Sequence, residues 1–385
     1  MGCTEAPVEL NGFTGIVTID KPVLRYPGNP ILTCHGVNRV WGKDSHLNTY
    51  TVHNAGMAVV SGDNGRKQTV MLFRAHIADG RSIIGKAVSD DGLNDWRVDP
   101  QPFLLPAARD DIYAEGVDIE AVIEAEAGGV EDMRVNPVGG GICVLTYSAY
   151  HGQIADRVKV MMAVTRDFKT VIRYGAVSER DMRNVVIFPE ADRFDKWTAL
   201  LRPNDKDREI SGSGHIGGSF GEIWAAFAPG PTGPWEIGLV IMKSGHGPGA
   251  FQAKMGPGAP PVRTRFGWLN IFHGVRSTMA GNPYSLGVAF HDLDEPAHPG
   301  KIRISAKPVL MPTASDCLVS PTDYVHVPNV VFSCGALAGQ GDTVAIYYGG
   351  NDTVMNVGLA NIQILNEMCD IFRLDPLTGK HLYRL

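Results

Sequence analysis

The chain predicts an all-β fold: a five-bladed β-propeller with a central funnel-shaped active site and a short C-terminal helix. Three observations lead there. Forty-five glycines and twenty-five prolines cut the sequence into short apolar runs. Sustained helical periodicity is confined to one stretch near the end. A strand-rich unit recurs five times. Short strands separated by turn signals mean a sandwich, barrel or propeller, and a long recurring unit selects the propeller among them.

The first unit runs through 54–60, 70–74 and 83–88 to the Asp90-Asp91-Gly92 turn and Trp96. The second starts at Glu131 and passes through 144–147 and 160–164 to Asp167-Phe168. The third takes 184–190, 197–202 and 223–227, closing at Gly233-Pro234-Trp235. The fourth begins at Gly258-Ala259-Pro260-Pro261-Val262 and continues through 268–273 to the turn at Asp292-Leu293-Asp294. The fifth takes 328–332 and 344–348 and ends at 357–360. Each unit has material for a four-stranded blade with loops inserted. One domain is expected over 1–385, with 1–48 an extension ahead of the first blade and 360–385 a helical tail. The helix falls on 360–368, Ala-Asn-Ile-Gln-Ile-Leu-Asn-Glu-Met.

Composition bounds the function. A hydrophobic share of 44% with 20% charged residues is ordinary for a globular chain with a large core. The net charge of −6 and the lack of a basic run argue against nucleic acid or an anionic membrane as partner. No apolar run approaches membrane-spanning length, and the N-terminus has no signal-peptide core, so the cytoplasm is expected. The six cysteines are scattered without a Cys-x-x-Cys pair, which argues against zinc and against a small disulfide framework. Cys143, Cys317 and Cys334 read as small core residues. The twelve histidines show no metal-binding spacing, so no metal is expected; His151, His246 and His291 read as surface or loop residues.

The stretch Gly129-Val130-Glu131-Asp132-Met133-Arg134-Val135 places two carboxylates and an arginine in an apolar run. Charged residues are seldom buried without partners. It is either a salt-bridged strand end or a carboxylic acid held in a pocket. Inner strands of a propeller converge on its axis, so polar residues at corresponding points of the units share a destination. These are Asn54 and Arg74, Glu131 and Asp132, Arg183 and Asn184 with Arg202, Lys254 and His273, and Asn351-Asp352. Singly, Arg74 and Arg202 read as surface arginines, His273 as a core histidine and Lys254 as a solvated loop lysine. Together, cations beside carboxylates suit a small anion next to a polyol, because arginine grips phosphate bidentately and lysine adds a point charge.

These segments carry a resemblance. The chain is similar to glycoside hydrolase family 130, the inverting β-mannoside phosphorylases and their hydrolytic relatives. The matching segments are 129–134, 183–190, 256–261, 267–275 and 347–352, spread over most of the chain. The resemblance implies that Asp132 is the general acid, its proton passing through the 3-hydroxyl of the mannosyl unit. It implies that Arg183, Arg202, Lys254 and His273 surround phosphate. It places Asn54, Arg74, Glu131, Asn184, Tyr284 and Asp352 around the sugar, with Tyr284 in a variable loop. Inverting cleavage needs an acid on one face and a nucleophile on the other; phosphate is already the nucleophile, so cations replace the second carboxylate that a hydrolase needs.

The expected reaction is phosphorolysis of a β-1,4-mannosyl-glucose or β-mannooligosaccharide to α-mannose 1-phosphate, with phosphate as co-substrate and no cofactor. The segments 201–205, 212–218 and 276–281 resemble the mannosyl-glucose branch, and the reading leans there, whereas Phe188 and Glu131 resemble the mannooligosaccharide branch. An assembly of identical chains is expected, with 205–221 as interface material. The rival readings are a β-mannoside hydrolase, a non-catalytic sugar-binding propeller and an arabinanase-like glycosidase, which wants three separated carboxylates.

Overall fold

The computed structural model describes residues 4–62, 65–154, 157–204, 221–244, 249–279, 281–317 and 324–382. Five antiparallel blades ring an axis. The first contains Thr49–Ser61, Lys67–Ile77, Ser82–Ser89 and Arg97–Val98, in that order outward. The second runs Gly129–Pro137, Cys143–Tyr150, Val158–Thr165 and Ile172–Ala176, with Ile112–Tyr113 added in parallel at its edge. The third is Met182–Ile187, Trp197–Pro203, Ile223–Ala228 and Glu236–Met242. The innermost strands lie next to one another in chain order, and the fifth blade returns to pack on the first.

The apolar runs lack a solvent-facing stripe because a blade is covered on both faces. Alternate side chains along one strand therefore enter two different cores. Met71 and Phe73 face the fifth blade, whereas Val70 and Leu72 face the second. Val144 packs toward the third blade while Leu145 and Tyr147 pack toward the first. Five apolar clusters fill the five seams in this way. Cys334 is buried as expected, whereas Cys143 and Cys317 are half-buried.

The fourth and fifth blades differ from the sequence reading. The fourth was expected to begin at Gly258. Its innermost strand is Lys254–Pro257, pairing with Gly267–Val275, and Val262–Thr264 pairs further along that same neighbour. Prolines 260 and 261 interrupt the edge where ladder hydrogen bonds would be missing. Tyr284–His291 and Arg303–Ser305 continue the sheet, so Tyr284 starts a strand and does not lie in a loop. His291 is buried, its ring bonded to Pro296 O at 2.7 Å and to Asn270 at 3.0 Å; it is not a surface residue. His246 and residues 212–218 lie outside the described residues.

The fifth blade takes Val331–Ala338, Thr343–Gly350 and Val354–Asn361 from its own unit, and Val23–Arg25 from the start of the chain. Residues 1–48 thus include the strand that closes the ring, not only a segment ahead of the first blade. Arg25 fixes that closure, its Nε and Nη2 meeting the two Asp316 oxygens at 2.7 and 2.9 Å. Helix α1 (Cys34–Trp41) follows, capped by Thr33, and buries Val37 and Trp41 on the first blade's side. Helix α2 (Ile119–Glu126), capped by Asp118, packs at the second blade. Both hold only two turns, too short to show helical periodicity. Helix α3 (Ile362–Ile371) lies where a helix was expected, with Asn361 as its cap. It is followed by Arg373–Leu374, which joins the edge of the fourth blade.

Candidate active site

The innermost strands of the first three blades share a device. Their ladders slip in register at His53–Gly56, opposite Thr146–Ser148, and at Arg183–Val186. In each slip one residue takes positive φ: Asn54 at 50°, Asp132 at 51° and Asn184 at 60°. Asn and Asp tolerate this left-handed conformation better than other side chains with a Cβ, and a bulge re-aims its side chain. The residue type that suits the backbone is also the type that carries the chemistry. The fifth blade reaches the same space through the turn Gly350–Thr353, whose central pair Asn351 and Asp352 have φ of 51° and 48°.

These elements enclose a cavity of about 450 Å³. It gathers Asn54 and Arg74 from the first blade, Asp132 from the second, and Arg183, Asn184 and Arg202 from the third. Lys254, His273 and Tyr284 come from the fourth and Asp352 from the fifth. The circular order of blades gives the cavity two halves. Blades five and two supply carboxylates, with Asn54 and Arg74 of the first blade between them; blades three and four supply the other cations. Close approach is required at two glycines: a Cβ on Gly256 would lie 2.5 Å from the His273 ring, and one on Gly349 would lie 2.5 Å from Asn54 Oδ1.

Glu131 is the one expected sugar-lining residue that the cavity leaves out. It lies behind Arg74, whose Nη2 meets Glu131 Oε1 at 2.6 Å, and Ser82 Oγ donates to the same oxygen at 3.0 Å. Adjacent side chains of a strand point to opposite faces, so the neighbour of a cavity-facing carboxylate faces away. Arg74 also reaches Asp132 Oδ1 at 3.4 Å and so holds both carboxylates.

Burial pushes the Glu131 carboxyl above its ordinary range, against the pull of Arg74. Burial also works on Asp132, but Arg74, Arg134 and the Asn54 hydrogen bond outweigh it and hold that carboxyl below the usual range. Asp352 has less compensation. Burial brings it up to about 7, with Arg74 and Asn54 opposing and Asp132 and Glu131 adding. Asp132 is therefore ionised at neutral pH, and Asp352 is the carboxyl that titrates near neutrality.

In the basic half, Arg202 Nη1 lies 3.1 Å from His273 Nε2. An arginine nitrogen can only donate, so Nε2 accepts and the His273 proton sits on Nδ1. Burial, then Arg202 and Lys254, holds His273 well below its usual range. His273 is thus a neutral buttress for Arg202, not a fourth cation around the anion. Arg202 Nε is buried with no hydrogen-bond partner among the described residues, and burial beside Arg183 lowers this guanidinium to about 10. Lys254 Nζ donates to Tyr284 OH at 2.7 Å; burial, then Arg202 and Arg183, lowers it to about 7. Arg183 stacks 5.1 Å from the Tyr150 ring centroid.

Three lining residues escaped the sequence reading. Asn204 follows the second strand of the third blade, its amide fixed to Asp181 Oδ1 at 2.7 Å. Val330 and Phe332 form an apolar wall, with the His273 ring 4.5 Å from Phe332. Their apolar and amide character gave no signal beyond that of a strand. Among the described residues no group of three or more His, Cys, Asp or Glu is spaced to hold a metal ion, and no helix is long and apolar enough to cross a membrane.

Known proteins resemble this chain over most of its length. A family model described as beta-1,4-mannooligosaccharide phosphorylase matches residues 25–373. The 1,2-beta-oligomannan phosphorylase of Thermoanaerobacter sp. (strain X514) is 27% identical over 88% of this chain and 97% of its own length. The 4-O-beta-D-mannosyl-D-glucose phosphorylase of Bacteroides fragilis is 28% identical over 88% of this chain and 83% of its own. The solved beta-1,2-mannobiose phosphorylase of Listeria innocua superposes with a TM-score of 0.70 at 23% identity, covering 91% of this chain and 99% of that one.

Proposed function

The chain belongs to glycoside hydrolase family 130, and on that premise we propose that it is an inverting β-mannoside phosphorylase. It cleaves the mannosidic bond with inorganic phosphate and releases α-D-mannose 1-phosphate and the shortened sugar. One observation carries this reading. Arg183, Arg202 and Lys254 line the cavity, and among the described residues none has a carboxylate within ion-pair distance. Arg202 is buried and Arg183 and Lys254 are half-buried, and cations held away from water with only neutral partners and no counter-charge are costly. A bound phosphate dianion supplies the missing charge.

The chemistry follows from the two halves. Phosphate seated on blades three and four attacks C1 while the glycosidic oxygen leaves toward Asp132. The C1–O bond to the leaving sugar breaks, a bond from phosphate oxygen to C1 forms on the opposite face, and the Asp132 proton ends on the leaving oxygen. Arg74, Arg134 and Asn54 hold Asp132 below the usual carboxylate range, so it must take up a proton before it can act as the acid. A phosphate anion and a water-excluding sugar both raise its pKa. Asn54 and Arg74 fix the carboxylate, and Asp352 and Tyr284 face the mannosyl hydroxyls.

Both β-1,2- and β-1,4-mannoside phosphorylases are among the relatives. The proposed substrate is β-1,4-mannosyl-glucose, that of the Bacteroides relative; the β-1,2 relative covers the same share of the chain, so both linkages enter the assay. The test is product analysis on β-1,4-mannosyl-glucose, β-1,4-mannobiose and β-1,2-mannobiose, each with and without phosphate. Mannose 1-phosphate formed only with phosphate is expected, and the fastest substrate identifies linkage and acceptor. Free mannose at the same rate without phosphate would make the chain a hydrolase.

A further inference from the structure

Beneath the cavity lies an arginine that the reaction as written does not use. Arg134 is 1% exposed. Its three nitrogens each meet an acceptor from a different blade. Nη1 donates to the Asp132 carbonyl at 2.6 Å, Nη2 to Asn184 Oδ1 at 2.9 Å, and Nε to Gly258 O at 3.2 Å. The guanidinium carbon sits 5.6 Å from the Phe332 ring centroid, which brings in the fifth blade. Among the described residues no carboxylate lies within ion-pair distance of it.

Two of the three acceptors belong to the left-handed residues that face the cavity. A guanidinium offers donors only. Asn184 must therefore turn its oxygen down to Arg134, and its NH₂ is left on the far side. That NH₂ lies beside Gly256, where an added Cβ would be 3.1 Å from Asn184 Nδ2. The same guanidinium grips the backbone oxygen of Asp132 inside its bulge, where the ladder is broken and a strand neighbour gives less support. A planar fork with fixed donor directions can join three backbones in a way that a flexible ammonium cannot.

We propose that Arg134 is a positioning residue that holds the Asp132 bulge for proton delivery and orients the Asn184 amide as a donor toward the bound anion. The second half rests on the phosphorolytic reading above. The first half holds for any cleavage in which Asp132 gives the proton. Arg134 is not among the residues that line the cavity; it acts through two residues on different blades, one at each half of the cavity.

The experiment compares Arg134→Lys, Arg134→Met and Asn184→Asp with wild type, measuring kcat, phosphate KM and the thermal midpoint. Misplacing a reacting group by an ångström costs about 10²-fold in rate, so Arg134→Met should lose about that factor in kcat. Its phosphate KM should rise about tenfold as the amide is freed to rotate. Arg134→Lys should recover part of the kcat. Asn184→Asp keeps an oxygen for Arg134 but turns the upper donor into an acceptor, and should raise phosphate KM more than it lowers kcat. Should Arg134→Met not fold, Arg134→Lys and Asn184→Asp carry the test. Loss of kcat only in proportion to folded protein, with wild-type phosphate KM, would reduce Arg134 to a structural strut. Wild-type phosphate KM in Asn184→Asp would overturn the amide orientation. A wild-type enzyme that ignores phosphate would sink the phosphorolytic reading instead; the kcat loss in Arg134→Lys would then decide the positioning role by itself.

Discussion

Asn54 Nδ2 reaches Asp132 Oδ1 at 3.0 Å across the seam between the first and second blades, and both residues sit at positive φ, 50° and 51°. Two neighbouring blades thus break their inner strands at matching points and turn the freed side chains toward each other. Replacing Asn54 separates the two reasons for its presence. Asn54→Gly keeps the backbone and removes the amide; Asn54→Ala removes both. Loss of a hydrogen bond to a charged group should lower kcat about tenfold in each. Asn54→Ala should also be about 1 kcal/mol less stable than Asn54→Gly, the approximate cost of a Cβ in the left-handed region. Urea unfolding of the two variants checks this, and equal stabilities would remove the backbone argument.

Asp132→Asn keeps the shape and takes away the proton. General acid catalysis contributes about 10²–10⁴-fold, and kcat should fall within that range. Phosphate binding should hold or tighten, because a negative charge has left the cavity. Calorimetric titration with phosphate beside turnover on β-mannosides reads both quantities. A variant that turns over as wild type would move the acid elsewhere, with Asp352 the next carboxyl to examine.

How much of this was legible in sequence divides along physical lines. Most strands were, because seams between blades demand apolar runs, and so were the charged residues of the cavity and the Asn and Asp that its left-handed bulges demand; Asn204, Val330 and Phe332 were not. The closing strand Val23–Arg25 was not: three residues carry no periodicity, and their partner is more than three hundred positions away. The hairpin joining Glu5–Leu10 to Phe13–Thr18 was legible but overlooked, since Asn11-Gly12 at its turn has the positive φ values that such a loop needs. Glu131 was misplaced because a chain of letters does not show which of two adjacent carboxylates faces inward. His273 was counted as a cation because its neutral form depends on Arg202, which lies on another blade.

Ring closure is testable through Asp316. Besides Arg25, its carboxylate accepts from Tyr348 OH at 2.9 Å and from Thr313 N at 2.7 Å. Breaking one partner of a buried pair costs about 3–5 kcal/mol, so Asp316→Asn should lose about 3 kcal/mol. Burial raises the Asp316 pKa, but Arg25, Tyr348 and Thr313 outweigh it and the folded value lies below the usual range. A depressed carboxyl contributes stability above its unfolded pKa and loses it as pH falls through the folded one. The wild type should therefore weaken more steeply than the variant on acidification. Chemical unfolding between pH 3 and pH 7 measures both effects, and parallel acid slopes would discount the ion pair.

The pH response of anion binding follows from two groups that both titrate near neutrality. Lys254 stands at about 7 because burial, Arg202 and Arg183 disfavour its charge. Asp352 stands at about 7 because burial disfavours its charge, with Arg74 and Asn54 opposing and Asp132 adding. As pH rises through that value the lysine loses a positive charge and the aspartate gains a negative one. Both changes repel an anion, so phosphate KM should rise with pH, approaching roughly tenfold per unit for each proton that binding must recover. Phosphate titrates in the same range, so sulfate, which remains a dianion, serves as the probe through its inhibition constant. Lys254→Arg stays charged throughout and should flatten the rise; Asp352→Asn should remove the aspartate's share. An inhibition constant for sulfate that climbs as steeply in Lys254→Arg as in wild type would show that the lysine proton does not govern the anion, and the charge would have to come from Arg183 and Arg202 alone.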